Sequence, residues 1–132
     1  FDENSEHKVI DFMPDQSDSI NKGGTLRLGA YPCKIVPGSR MSECYNSELI
    51  YERHRHRYEF NNDYRETLSK AGLVISGTSP DGHIVETVEI PKNDFYVGVQ
   101  FHPEFKSRPN KPHPLFSGLV SAALKRTDAE KK

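Results

Sequence analysis

The sequence predicts a mixed α/β domain, and three stretches carry that expectation. Phe95-Tyr96-Val97-Gly98-Val99-Gln100-Phe101 is apolar at nearly every position, as a strand covered on both faces is. Leu73–Gly77 and His83–Ile90 read as two strands joined by Ser79-Pro80-Asp81-Gly82, a turn composition that signals a hairpin. Pro114 opens a helical pattern whose apolar residues Leu115, Phe116, Leu119, Val120, Ala123 and Leu124 fall on one stripe. A covered strand, a hairpin and amphipathic helices together favour helices packed on a sheet.

The other elements follow in chain order. Val9-Ile10-Asp11-Phe12-Met13 predicts a short strand ended by Pro14. Pro14 to Gly24 has the composition of a loop, and its length marks it as a candidate functional loop rather than a tight turn. Thr25–Tyr31 and Cys33–Val36 are two short strand-like runs of a half-exposed sheet, stopped by Pro37-Gly38. Ser39 to Asn46 fits one or two helical turns. Tyr51 to Phe60 reads as a strand, and Asn61-Asn62 as the cap of a helix from Asp63 to Ala71, with Gly72 suited to the left-handed position just past its end. Residues 1–126 are expected to form one domain and residues 127–132 a charged, disordered tail.

Composition narrows the function classes. A formal net charge of −1 over 132 residues gives no reason to expect nucleic acid or an anionic membrane as a partner. No apolar run approaches the roughly 18 residues of a membrane span, and Phe1-Asp2-Glu3-Asn4-Ser5-Glu6 has neither the basic start nor the apolar core of a signal peptide. The chain is therefore read as soluble, intracellular and cytoplasmic. Its first residue is phenylalanine, which leads us to expect further residues before it. Cys33 and Cys44 do not make a disulfide framework and are expected as free, buried thiols.

Two constellations invite chemistry. In His102-Pro103-Glu104 the proline keeps His102 extended after the strand, and residues two apart in an extended segment project to one side, so the carboxylate can reach the imidazole. That arrangement suits a general base held in one tautomer by a carboxylate; by spacing alone it equally suits a surface ion pair. In Glu52-Arg53-His54-Arg55-His56-Arg57-Tyr58-Glu59-Phe60 a strand places Arg53, Arg55 and Arg57 on one face and His54, His56 and Tyr58 on the other. Such a strand fits a phosphate-binding stripe, a His-x-His metal site or a structural strand. Two histidines without a third ligand argue against the metal, and the near-neutral domain against nucleic acid.

The longer strings add a resemblance. Gly98-Val99-Gln100-Phe101-His102-Pro103-Glu104 resembles the signature of the triad-type (class I) glutamine amidotransferases, and Glu52–Phe60 with Asn61 is similar to a segment of the CTP synthase family within that class. Gly23-Gly24-Thr25-Leu26-Arg27-Leu28-Gly29 and the loop from Phe105 to Pro114 extend the likeness, which runs from about Val9 to about Leu124. The resemblance implies a flavodoxin-like α/β domain with a mixed sheet and flanking helices, of which this chain supplies the C-terminal part. It implies His102 as the base, Glu104 as its orienting carboxylate, and Arg57 as a ligand of the substrate L-glutamine, consistent with the guanidinium–carboxylate fit. The family's activator GTP makes Thr25 and Arg27 candidate effector contacts; the bland alternative is a Gly-Gly turn entering a strand. No metal site is expected, and His54, His56, Arg53 and Arg55 are read as structural.

The nucleophile is the missing piece. The family's cysteine sits on a strand-to-helix elbow among small residues. Cys33 lies within a strand-like run and Cys44 lacks flanking glycine, so both read as packing residues. The implied partners are then the N-terminal part of the amidotransferase domain and a synthase domain that binds ATP, UTP and Mg²⁺, in a homotetrameric parent. No cofactor is expected in this chain, and alone it is expected to be inactive and prone to self-association. Two alternatives stand beside this reading: an amidotransferase domain serving another biosynthesis, such as that of purines or anthranilate, and a non-catalytic scaffold of the same fold.

Overall fold

The structure, a computed structural model, describes residues 4–12 and 27–130. In chain order its elements are β1 (Ile10–Phe12), β2 (Arg27–Ile35), α1 (Arg40–Tyr45), β3 (Leu49–His56), β4 (Tyr58–Phe60), α2 (Arg65–Lys70), β5 (Val74–Thr78), β6 (Val85–Glu89), β7 (Val97–Val99) and α3 (Pro114–Glu130). Short 3-10 turns occupy Asn62–Tyr64 and Pro103–Lys106. Five strands form one sheet in the order β3-β2-β5-β6-β7, and β1 with β4 forms a second. The α/β architecture stands as expected, and every strand pairing among the described residues is antiparallel.

Local chemistry accounts for the element ends. Ser39 caps α1 by accepting from the Ser42 N–H at 3.1 Å, and Asn46 closes it in the left-handed region at φ 53°. Asn61 accepts from the Asp63 N–H at 3.1 Å, so the expected helix begins as a 3-10 turn before α2, and Gly72 ends it at φ 110°. Gly82, at φ 80°, completes the β5–β6 turn, where Asp81 accepts from the Ser79 hydroxyl and the His83 N–H.

Four elements differ from the sequence reading. The two runs at 25–36 become one strand that continues through Pro32, which pairs with Tyr51. β5 joins β2 only at Lys34 and Ile35, so Pro32 has one strand neighbour, a place where the absent N–H is tolerated. The run Tyr51–Phe60 divides at Arg57, because β3 pairs with β2 and β4 with β1. The run Phe95–Phe101 forms a strand only at Val97–Val99; β7 is an edge among the described residues, and its three residues are half-buried instead of covered on both faces. Finally, residues 127–130, expected as a disordered tail, continue α3, with the Thr127 hydroxyl donating to the Ala123 carbonyl and Arg126 donating to the Glu130 carboxylate one turn on. The remaining two residues, the loop 14–24 and Thr25 lie outside the described residues.

The core gathers Cys33, Ile35, Met41, Ile50, Phe101 and Leu115, where α1 and the start of α3 cover β2 and β3. Gly77 permits this closeness: a Cβ there would meet Thr87 Oγ1 at 2.6 Å and Cys33 Sγ at 2.9 Å. Of the apolar stripe on α3 only Leu115 is buried, while Leu119, Val120 and Leu124 are at least half exposed. Phe101, at the end of the β7 segment, is anchored in this core, which fixes the residue that follows it.

Candidate active site

His102 follows Phe101 in extended conformation, with φ −110° and ψ 90°. Its N–H donates to the Arg53 carbonyl at 2.9 Å, so the edge of β3 suspends the backbone at this point. Pro103 then starts the 3-10 turn, for which its fixed φ is suited. The turn swings Glu104 back toward the imidazole, and His102 Nδ1–H donates to Glu104 Oε1 at 2.7 Å. The contact foreseen from alternation in an extended chain is therefore present but made by a tight turn. Phe105 stacks on the His102 ring with centroids 5.1 Å apart and planes at 24°. The Glu104 carboxyl is held below its ordinary range by its own backbone N–H and then by His102, so it is ionised at neutral pH. With Nδ1 committed as donor, the neutral ring presents a lone pair at Nε2.

Arg53, Arg55 and Arg57 are exposed and His54 is buried, the two-faced strand that alternation predicts. Arg57 occupies the bend between the two sheets, four residues along the strand from the point where His102 hangs, or about 13 Å at strand rise. An open groove of about 370 Å³ is lined by Leu28, Gly29, Arg53, His54, Arg55 and Phe105, chain neighbours of the candidate residues but none of His102, Glu104 and Arg57 themselves. A larger cavity, about 760 Å³, lies elsewhere, between α1, α3 and the Pro91–Phe95 loop, and likewise contains none of His102, Glu104 and Arg57.

Arg27 is placed differently from the sequence reading. Its guanidinium is buried, donates to Glu86 Oε1, and lies 4.3 Å from the centre of the Tyr31 ring. A buried cation with a carboxylate partner is paired internally, so in this structure the Arg27 guanidinium is not presented as an open contact for a ligand. Burial raises the Glu86 carboxyl above its usual range while Arg27 pulls it down. The Cys33 thiol is fully buried and pushed far up, by burial and then by the Glu86 charge; Cys44, on α1, is raised by burial too. A thiol so raised stays protonated and is a poor nucleophile.

A second carboxylate–histidine pair escaped the sequence. His113, just before α3, lies with Nε2 3.1 Å from Glu52 Oε1 and 3.0 Å from the Tyr45 hydroxyl; His113 and Glu52 are buried and Tyr45 is partly buried. Its Nδ1 accepts the Leu115 N–H at 3.1 Å, so the proton of the neutral ring is at Nε2 and points at Glu52. Both ring nitrogens are thus engaged, and the pair ties β3 to the start of α3. Lys106 donates to the Tyr51 carbonyl at 2.7 Å and closes the loop on the same strand. Residues 52 and 113 are too far apart in sequence for spacing to reveal them. Among the described residues no three His, Cys, Asp or Glu side chains converge on a point that would hold a metal ion, and no helix is long and apolar enough to cross a membrane.

Known proteins resemble this chain along most of its length. Residues 4–122 match the family described as glutamine amidotransferase class-I. A CTP synthase of Carboxydothermus hydrogenoformans is 60% identical over 119 residues, covering 90% of this chain and 22% of that protein. A CTP synthase of Caldanaerobacter subterraneus subsp. tengcongensis is 60% identical over 124 residues, 94% of this chain and 23% of that protein. The chain thus spans less than a quarter of the length of these curated relatives. Among solved structures, the glutaminase domain of Trypanosoma brucei CTPS with bound acivicin superposes with a TM-score of 0.82 at 41% identity, over 93% of this chain and 48% of that one. A Thermoplasma acidophilum protein described as part of a GMP synthase shares the fold at 11% identity, with a TM-score of 0.63 over 93% of this chain and 52% of that one.

Proposed function

The chain belongs to the class-I glutamine amidotransferases, and from that premise we propose that it is part of the glutaminase domain of a CTP synthase. In that parent enzyme glutamine is hydrolysed and the released ammonia aminates UTP at the expense of ATP. The observation that carries the reading is the 2.7 Å bond from His102 to Glu104 in the turn that follows β7, which leaves Nε2 free to take a proton.

The chemistry follows from that tautomer. His102 Nε2 takes the proton of a cysteine thiol supplied from outside residues 1–132, and the thiolate sulfur bonds to the side-chain carbonyl carbon of glutamine. Glu104 stabilises the imidazolium by charge and holds its orientation. The carbon–nitrogen bond breaks as the imidazolium returns the proton to the departing ammonia, and water then hydrolyses the thioester to glutamate with the same histidine as base. Arg57, exposed at the bend and about 13 Å along the strand from His102, binds the α-carboxylate of glutamine, a span that a guanidinium side chain and the substrate bridge together. ATP, UTP and Mg²⁺ belong to the synthase domain of the parent, a homotetramer that GTP activates.

The test is product analysis with the parent enzyme. Given UTP, ATP, Mg²⁺ and glutamine, it should form CTP and glutamate in equal amounts. Glutamate without CTP would assign the domain to another biosynthesis, and neither product would leave a non-catalytic scaffold.

A further inference from the structure

The strand that carries Arg57 is held at its bend by two ring hydrogen bonds. His56 Nδ1 lies 3.0 Å from the Tyr58 carbonyl oxygen, spanning Arg57, and His56 Nε2 lies 2.8 Å from His54 Nδ1. A carbonyl oxygen only accepts, so the proton is on His56 Nδ1. Burial and then the Arg27 charge push His54 down to about 3; burial and Arg27 push His56 down to about 4 against the opposing pull of the Tyr58 carbonyl, and His102 adds to both. Both rings are therefore neutral near pH 7, with one proton each. His56 has spent its proton on Tyr58, so its Nε2 accepts, and His54 must donate from Nδ1.

The second ring has no freedom to choose otherwise. His54 is 1% exposed and is gripped edge-on by Tyr31 at 5.6 Å and by Phe101 at 5.8 Å. Its Nε2 faces Glu86 Oε1 at 3.7 Å, beyond hydrogen-bond reach, and Arg27 holds that oxygen. The order of protons therefore runs in one direction, from His54 to His56 to the backbone beyond Arg57. Phe101 directly precedes His102, so one packed unit touches both the bend and the end of the base-bearing segment.

We propose that His54 and His56 are positioning residues, a tautomer-locked pair that fixes the bend at Arg57 and so sets how its guanidinium meets the carboxylate of glutamine. The proposal rests on the functional reading above and goes beyond it in assigning a role to the buried face of the strand.

The experiment compares His56→Asn, His56→Gln and His56→Ala in the parent enzyme. An asparagine amide nitrogen stands where Nδ1–H stood and can still donate to the Tyr58 carbonyl; a glutamine amide nitrogen stands nearer Nε2 and cannot. His56→Asn should keep KM for glutamine within about threefold of the unmodified enzyme, while His56→Gln and His56→Ala should raise it about tenfold, or about 1.4 kcal/mol. In all three, kcat with glutamine and the rate with ammonia should stay within about twofold. Equal KM values across the three variants, or a parallel fall in the ammonia rate, would overturn the proposal. Magic-angle-spinning ¹⁵N NMR of the histidine-labelled enzyme tests the lock independently of folding in the variants: both rings should be Nδ1–H tautomers, and an Nε2–H signal from either would contradict it. An unmodified enzyme that consumes no glutamine would defeat the functional reading and leave the tautomer result to decide the lock.

Discussion

Replacing His102 by alanine in the parent enzyme should lower glutamine-dependent CTP formation about 10³-fold and leave ammonia-dependent formation unchanged. A positioned base contributes on the order of 10² to 10⁴ in rate, and a residue that also protonates the leaving group lies toward the upper part of that range. A 10³-fold loss corresponds to about 4 kcal/mol of barrier. The fold should survive, because the contact that suspends this segment is the backbone N–H on the Arg53 carbonyl, and the imidazole, 40% exposed, leaves no sealed cavity. Parallel kinetics with glutamine and with ammonia separate the two outcomes. Loss of both activities would make His102 a structural residue, and retention of both would remove it from the chemistry.

Arg57→Ala should raise KM for glutamine about 30-fold with little change in kcat. An arginine that binds the substrate carboxylate equally in the ground and transition states contributes uniform binding, and its loss appears in KM. Truncating one partner of a charge-assisted pair costs about 2 kcal/mol or more, which is the 30-fold. Arg57→Lys should fall between, since lysine keeps the charge but not the two-pronged donor geometry. Arg53→Ala and Arg55→Ala serve as controls on the same exposed face and should leave KM within about twofold. An equal effect at all three positions would point to a general electrostatic field instead of one contact.

What the sequence made legible was local. The His102–Glu104 contact, the exposed arginine face, the hairpin at Ser79–Gly82 and the helix ends at Asn61 and Gly72 each depend on residues close in the chain, where spacing and turn chemistry act directly. The pieces that escaped join distant residues. Arg27 reads as the start of a strand entered from a Gly-Gly turn, with an effector contact as the other possibility, and Glu86, 59 positions away, takes its side chain inside. The Glu52–His113 pair spans 61 positions, and no periodicity announces it. The strand break at Arg57 was hidden for a related reason: alternation continues unbroken across it, and only the pairing of β1 with β4 reveals that the chain changes sheets there. The stripe on α3 was legible as a pattern, yet its outer half is exposed among the described residues, because a stripe states that a face is apolar and not what covers it.

The central claim is that His102 and Glu104 serve a thiol that lies outside residues 1–132. The most direct measurement is acid quenching of the parent enzyme during turnover with isotope-labelled glutamine, followed by peptide mapping of the labelled thioester. A single γ-glutamyl adduct is expected on a cysteine N-terminal to this segment, diminished in His102→Ala. Label on Cys33 or Cys44 would contradict it, since the first is sealed in the core and the second sits on α1 facing Gly118 of α3, its thiol raised by burial.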